Sequence, residues 1–181
     1  RYTDVLITIN KEDYKRATEK FHAKKTVYIP GVGVDVEKFN PRQFGRDKIR
    51  TELGLQDNDI MLLSVGELNE NKNHSAVIKA IAGMDIIYVV VGKGDKEAEL
   101  KALAKECGVD LHLTGFRNDV ADFYDAANVY ILPSIREGLN VSLMEAQASG
   151  LPVVCGRIRG NVDLVEEENC LFDPMDEAGI R

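Results

Sequence analysis

The chain's most chemically suggestive spacing lies between Pro133 and Pro152, in P-S-I-R-E-G-L-N-V-S-L-M-E-A-Q-A-S-G-L-P. Leu139, Val141, Leu143, Met144 and Ala148 recur at helical spacing, and Gly150 followed by Pro152 stops the run. Asn140 or Ser142 is the expected first-turn cap. Unpaired N–H groups and the positive dipole end at Leu139 to Ser142 then make a natural anion site, and Gly138 just before it lets a ligand approach closely. Glu137 stands in the loop before the helix. Glu145 lies about a turn and a half into it, ~7 Å along the axis. One anion pocket bordered by two carboxylate acceptors suits a ligand that carries both phosphates and hydroxyls.

The elements that must position this site read as a repeating strand-helix alternation. Asp4–Ile9 reads as a strand, and Asn10 caps a helix that runs to about Phe21. Thr26–Ile29 is the next strand and leads into the Pro/Gly-rich P-G-V-G-V-D, where Gly31 and Gly33 allow close backbone approach. The polar stretch Asn40–Leu53, with Ile49 and Leu53 apolar, reads as a short surface helix. Strands are expected at Ile60–Val65, Ile86–Val91, Leu111–Thr114, Asn128–Leu132 and Val153–Cys155. Helices are expected at Asn73–Met84, Lys96–Cys107 with Gly108 as its stop, Val120–Ala127 and Val141–Ser149. Strands such as I-I-Y-V-V-V lack the alternation of a half-exposed sheet, so both faces need helical cover. The fold class is α/β, a doubly wound, Rossmann-like parallel sheet, and ligands of such sheets bind at the carboxyl ends of the strands.

Composition narrows the function classes. The 181 residues are 44% hydrophobic and 29% charged, with a net charge of -7, which disfavours a broad basic footprint for nucleic acid. Any phosphate must therefore be held locally. The three cysteines, Cys107, Cys155 and Cys170, are scattered and read as free thiols of a reducing compartment. No run of 18 apolar residues is present, and no signal peptide opens the chain, which points to the cytoplasm. The start at Arg1 and the end in D-P-M-D-E-A-G-I-R read as a truncated chain, its last residues the opening turns of a helix.

Glu, seven intervening residues and Glu, set in E-G-L-N-V-S-L-M-E-A-Q-A-S-G-L-P-V-V, resembles the signature of the GT-B retaining glycosyltransferases of the glycogen-synthase-like, family 4 type. S-V-G-E-L-N-E-N-K-N-H near residue 64, V-V-G-K-G-D near 90 and L-T-G-F-R-N-D-V near 113 fall in that family's order. The resemblance implies the C-terminal half of a GT-B fold. Residues 1–25 would be the last strand and helix of the N-terminal acceptor domain, and 26–181 the donor-binding domain, cut short at its end. It implies that Glu145 accepts hydrogen bonds from the ribose hydroxyls and that Glu137 orients the donor sugar. Lys72 would neutralise the diphosphate. Gly66 opens the loop of the family's Gly-Arg...Lys pair, but the Arg position is Glu67 here, so positive charge must come from Lys72, the helix start, Lys93, Arg117 or Arg136. The backbone at Phe116 and Arg117 would contact the base, and Gly92-Lys93 is the location for a phosphate or ribose loop, although it lacks the dinucleotide fingerprint. The remaining donor contacts are expected at Gly138, Leu139, Asn140 and Val141.

No metal site is expected. Asp57-Asn58-Asp59 precedes a strand rather than following one, and His22, His74 and His112 belong to different elements, with His74 expected as a first-turn cap or surface residue. The expected activity is transfer of a hexose from a nucleotide-diphosphate sugar, UDP-linked, with retention, in cell-surface polysaccharide or glycoconjugate synthesis. No other cofactor is required, and the acceptor glycan or lipid-linked saccharide would bind through the missing N-terminal domain. No nucleophile is assigned, since the diphosphate itself can take the acceptor's proton. The isolated piece should transfer little or no sugar. Peripheral association of the full-length protein with the inner face of a membrane stays open. Rivals are a nucleotide-sugar epimerase or a phosphorylase of related fold, and a non-catalytic nucleotide-binding or receiver-type sensor domain. A phosphorylase needs a pyridoxal lysine for which no local context stands out, and the acidic cluster and phosphoacceptor Asp of a receiver are not where the pattern puts them.

Overall fold

The structure, a computed structural model, describes residues 3–181. Arg1 and Tyr2, with which the expected first segment opens, lie outside the described residues. Strand β1 (Thr3–Thr8), helix α1 (Lys11–Lys20) and strand β2 (Ala23–Tyr28) form a small unit in which β1 and β2 pair in parallel. Asn10 caps α1 as expected, its side chain accepting from Asp13 N–H. Strand β2 is longer than its apolar core and crosses residue 25, where the sequence places the division of domains.

The rest of the chain builds a second sheet. Its elements are α2 (Gln43–Leu53), β3 (Met61–Val65), α3 (His74–Ala80), β4 (Ile87–Val91), α4 (Glu97–Cys107), β5 (Asp110–Gly115), α5 (Val120–Ala126), β6 (Val129–Leu132), α6 (Val141–Ala148), β7 (Val153–Gly156), β8 (Leu171–Phe172) and α7 (Glu177–Ile180). The strand order is β5-β4-β3-β6-β7-β8, and every neighbouring pair is parallel. The chain leaves β3 toward β4 and β5, then returns to its other side as β6. The crevice between the carboxyl ends of β3 and β6 is therefore the topological switch point, where doubly wound sheets bind ligands.

The core lies on both faces, as the unbroken apolar strands require. Leu63, Val89, Tyr130 and Leu132 pack with Phe123, Tyr124, Leu143 and Ile49 on one face. Leu62, Tyr88, Val90 and Ile131 pack with Val77, Ile78 and Leu100 on the other. Cutting fully buried Leu63 back to Ala is expected to cost about 2–5 kcal/mol, the transfer loss plus the cavity.

Several boundaries shift for physical reasons. Helix α3 ends at Ala80 rather than Met84, because the chain turns through Gly83, whose φ of 76 is left-handed. Helix α2 is not a surface helix throughout. Ile49 is wholly buried, and Arg42 and Lys48 tie the helix to Asp119, Asp122 and Asp125 at α5. The short edge strand β8 carries no sequence signal. No helix of the described residues is long and apolar enough to cross a membrane.

Candidate functional site

Two loops meet at the switch point, one after β3 (residues 66–73) and one after β6 (residues 133–140). Three alternate asparagines of N-E-N-K-N-H fasten the first loop to itself and to the second. Asn69 Oδ1 accepts from Lys72 N–H at 3.0 Å and caps a short 3-10 turn, Glu70–Lys72. Asn71 Nδ2 donates to Arg136 O at 2.9 Å, while Ile135 N–H donates to Asn71 O at 2.9 Å. Asn73, at φ 53, donates to Pro133 O and Pro174 O. Asparagine tolerates that left-handed backbone better than other side-chain-bearing residues. Motif reasoning passes over all three asparagines. The every-second-residue Asn pattern before a helix is the signal that could have found them.

This lattice delivers Lys72 across the crevice. Lys72 Nζ lies 2.6 Å from Glu137 Oε1, with side chains only 17% and 14% exposed. The two expected catalytic residues thus meet as an ion pair. The stem of Lys72 runs over Gly66, where an added Cβ would sit 3.2 Å from Lys72 Cε. Glu67 points to solvent and accepts from Asn69 Nδ2 at 2.8 Å. His74 is not a surface cap. It is 3% exposed, its Nδ1 lies 2.9 Å from Tyr88 hydroxyl, and its Nε2 donates to Glu67 O at 3.1 Å. Burial drives its pKa down to about 4, partly opposed by the Glu67 carbonyl. A neutral imidazole therefore braces the floor of the Lys72 loop.

Across the crevice α6 begins as the sequence requires. Asn140 Oδ1 accepts from Leu143 N–H at 3.1 Å and from Ser142 Oγ at 2.6 Å. Ser142 Oγ is also 2.6 Å from Tyr130 hydroxyl and 3.2 Å from Val65 O, which pins the helix start to β3 and β6. Glu145 is half-buried and forms no salt bridge among the described residues. Its Oε2 lies 3.0 Å from Tyr124 hydroxyl, which also reaches Ser142 O at 3.1 Å. Burial raises the Glu145 pKa, with the Tyr124 hydrogen bond and Lys38 pulling the other way. A desolvated carboxylate with one hydroxyl donor keeps acceptor capacity for a ligand. Gly138 has open space where a Cβ would be, and a Cβ on Gly31 of the Pro/Gly-rich segment would lie 3.5 Å from the Leu139 side chain and 3.8 Å from Met144 Sδ.

Beside the crevice, a cleft of about 630 Å³ runs over the ends of β3, β4 and β5. Val65, Val91, Phe116 and Val120 give it apolar walls, and Gly66, Glu67, Gly92, Lys93 and Arg117 complete it. Gly92 has a packing duty here. A Cβ on it would fall 1.8 Å from Gly66 O. Phe116 is largely exposed at the mouth. Arg117 does not supply the free positive charge expected of it. Its guanidinium chelates Glu52 and Asp119 through four hydrogen bonds of 2.6–2.9 Å and stacks on Phe123. No ion pair is formed by Lys93 or Arg136 among the described residues. Near the crevice these two stand with Lys72, which pairs with Glu137, and Arg159, whose Nε donates to Glu137 O. Asp57-Asn58-Asp59 lies at the opposite, amino end of β3, with Asp59 closing its own turn on Gln56 N–H. The described residues contain no group of three potential metal ligands.

The family model for glycosyl transferases group 1 matches residues 45–180. EpsD of Bacillus subtilis is 33% identical over 175 residues, covering 92% of this chain and 46% of that protein. UDP-Gal:alpha-D-GlcNAc-diphosphoundecaprenol alpha-1,3-galactosyltransferase of Escherichia coli is 33% identical over 178 residues, covering 92% and 46%. Among solved structures, Anabaena HepE in complex with UDP and glucose superposes with a TM-score of 0.87 at 22% identity, covering 98% of this chain and 51% of that one. The chain thus spans about half the length of the curated relatives it matches.

Proposed function

Because the chain belongs to the glycosyl transferases group 1, we propose that it is the donor-binding part of a retaining hexosyltransferase that uses a UDP-sugar in polysaccharide or glycoconjugate synthesis. Residues 26–181 would form the donor domain, with the acceptor domain ending near residue 25. The observation that carries this reading is Glu145, a half-buried carboxylate that forms no salt bridge among the described residues, on the first turns of a helix that starts at the switch point. Its spare oxygens suit the two ribose hydroxyls, and the amides from Gly138 to Ser142 suit the diphosphate. The apolar cleft under Phe116 suits the base, with the backbone at Phe116 and Arg117 as its edge. The Escherichia coli relative's name gives UDP-Gal, and the Anabaena structure holds UDP, which favours a uridine donor.

The chemistry would be electrostatic. Oriented helix-start dipoles and Lys72 stabilise the leaving diphosphate, and Glu137 positions the sugar. For that, the Lys72–Glu137 pair must open so that each side chain takes its own part of the donor. No protein nucleophile is assigned, and the departing diphosphate oxygen receives the acceptor's proton. The relative acting on a diphosphoundecaprenol-linked sugar makes a lipid-linked acceptor at the inner face of a membrane the favoured partner of the whole protein. Since these residues cover about half of that relative, transfer by this chain alone is expected to be slight. Calorimetric titration with UDP, GDP and ADP tests the reading. UDP should bind best, and Glu145→Ala should weaken it about tenfold or more, as loss of hydrogen bonds to a charged group does. Equal binding by wild type and Glu145→Ala would overturn it.

A further inference from the structure

Helix α1 and the loop after β7 touch the donor loop at two carbonyl oxygens. Arg159 Nε donates to Glu137 O at 3.2 Å, and Asn10 Nδ2 donates to Gly138 O at 3.1 Å. The two donors are themselves joined through Asp13. Its Oδ1 accepts from Arg159 Nη1 at 2.9 Å and its Oδ2 from Asn10 Nδ2 at 2.8 Å. Asn10 is wholly buried, and its Oδ1 caps α1 by accepting from Asp13 N–H at 2.7 Å, so its amide cannot swing freely. Gly160 closes the arrangement. At φ 85, a Cβ there would lie 2.1 Å from Gly138 O.

The peptide bonds of the described residues are all trans, so the C=O and N–H of one unit point opposite ways. Glu137 O shares its unit with Gly138 N–H, and Gly138 O shares its unit with Leu139 N–H. Holding both oxygens against α1 and the β7 loop therefore turns both N–H groups to the other side. Neither N–H meets a protein acceptor among the described residues, and a Cβ on Gly138 would meet nothing within 4 Å. We propose that Asn10 and Arg159 are positioning residues that aim the Gly138 and Leu139 amides at the donor's diphosphate. Neither side chain needs to touch the ligand. The proposal rests on the donor-site reading above, and it makes the donor site depend on a residue 128 positions away in the chain, in the small sheet's helix.

The test compares UDP with uridine, by titration of wild type, Asn10→Ala, Arg159→Gln and Arg159→Lys. Uridine lacks the diphosphate and so reports base and ribose binding, which also checks that each variant is folded. Wild type should prefer UDP. Asn10→Ala and Arg159→Gln should each cut UDP affinity roughly tenfold, as losing about one hydrogen bond's orientation does, and leave uridine within about twofold. Arg159→Lys keeps the charge but cannot hold Glu137 O and Asp13 together as the fork does, so it should behave like Gln. Full rescue by Lys would show direct charge contact instead and overturn the positioning role. Parallel loss of UDP and uridine, or unchanged UDP binding in all three variants of a wild type that prefers UDP, overturns the clamp alone. A wild type that binds UDP no better than uridine overturns the donor reading itself.

Discussion

Two ion-pair sites flank the carboxyl ends of the sheet, and they differ in how completely their cations are used. Arg117 gives four hydrogen bonds to Glu52 and Asp119 and stacks on Phe123, so its donors are nearly exhausted. Its carboxylate partners hold the Arg117 pKa up, and Arg117 and Lys48 hold Asp119 well below the usual carboxylate range. Lys72 gives its ammonium to one oxygen of one carboxylate, on a loop from the far side of the switch point. A saturated cluster locks helices together. A singly bonded pair across a crevice can be exchanged for a ligand's charges, and only its surroundings need to be rigid.

The comparison can be broken in order of effect size. The largest change is expected beneath the Lys72 loop, at His74. The unfolded chain protonates a histidine near pH 6.5, whereas the folded one resists until about pH 4. Its folded pKa is lowered, so the fold suffers no penalty above about pH 6.5 and loses stability as pH falls from there toward 4, by on the order of 3 kcal/mol. Denaturant unfolding across that range should show the slope, and His74→Gln should flatten it. A slope that persists in the variant would place the titration elsewhere.

Next, Arg117→Ala should destabilise the fold by about 1–2 kcal/mol, through the lost stack and two carboxylates left facing each other, while nucleotide affinity changes less than about twofold. Lys72→Ala should do the reverse. Thermal stability should move by less than about 1 kcal/mol for a partly exposed pair, and UDP affinity should fall about tenfold. Comparing melting curves with titrations for both variants separates the roles, and similar profiles would erase the distinction. The smallest effect is on Asp119. Its folded pKa is depressed, so its contribution is present above about pH 4 and fades as pH falls. Asp119→Asn should lose less stability between pH 5 and 3 than wild type, as acid unfolding curves would show.

What the sequence made legible is what depends on neighbours along the chain. The strand-helix alternation, the stop at Gly108, the Asn140 cap of α6 and the placing of Glu137 and Glu145 around its start follow from period and turn chemistry within a few residues. What it hid depends on partners far away. His74 reads as a surface residue until Tyr88 and the Glu67 carbonyl close over it. Arg117 reads as a free cation until Glu52, 65 positions earlier, meets it. Arg159, tied to Asp13 across 146 positions, has no local pattern at all, nor does Asn10 beyond its role as a cap. The family signature pointed at the crevice, but not at the three asparagines that build its wall.

The central claim is that amides at the start of α6 grip the diphosphate. Amide chemical shifts of the isotopically labelled chain, followed by NMR during titration with UDP, test it most directly. The predicted result is that Gly138, Leu139, Val141 and Ser142 move most, together with Gly66, while Gly54 and Gly108 at the sheet's amino end stay fixed. Shifts confined to the amino end, or a helix start that does not respond while UDP binds, would contradict it.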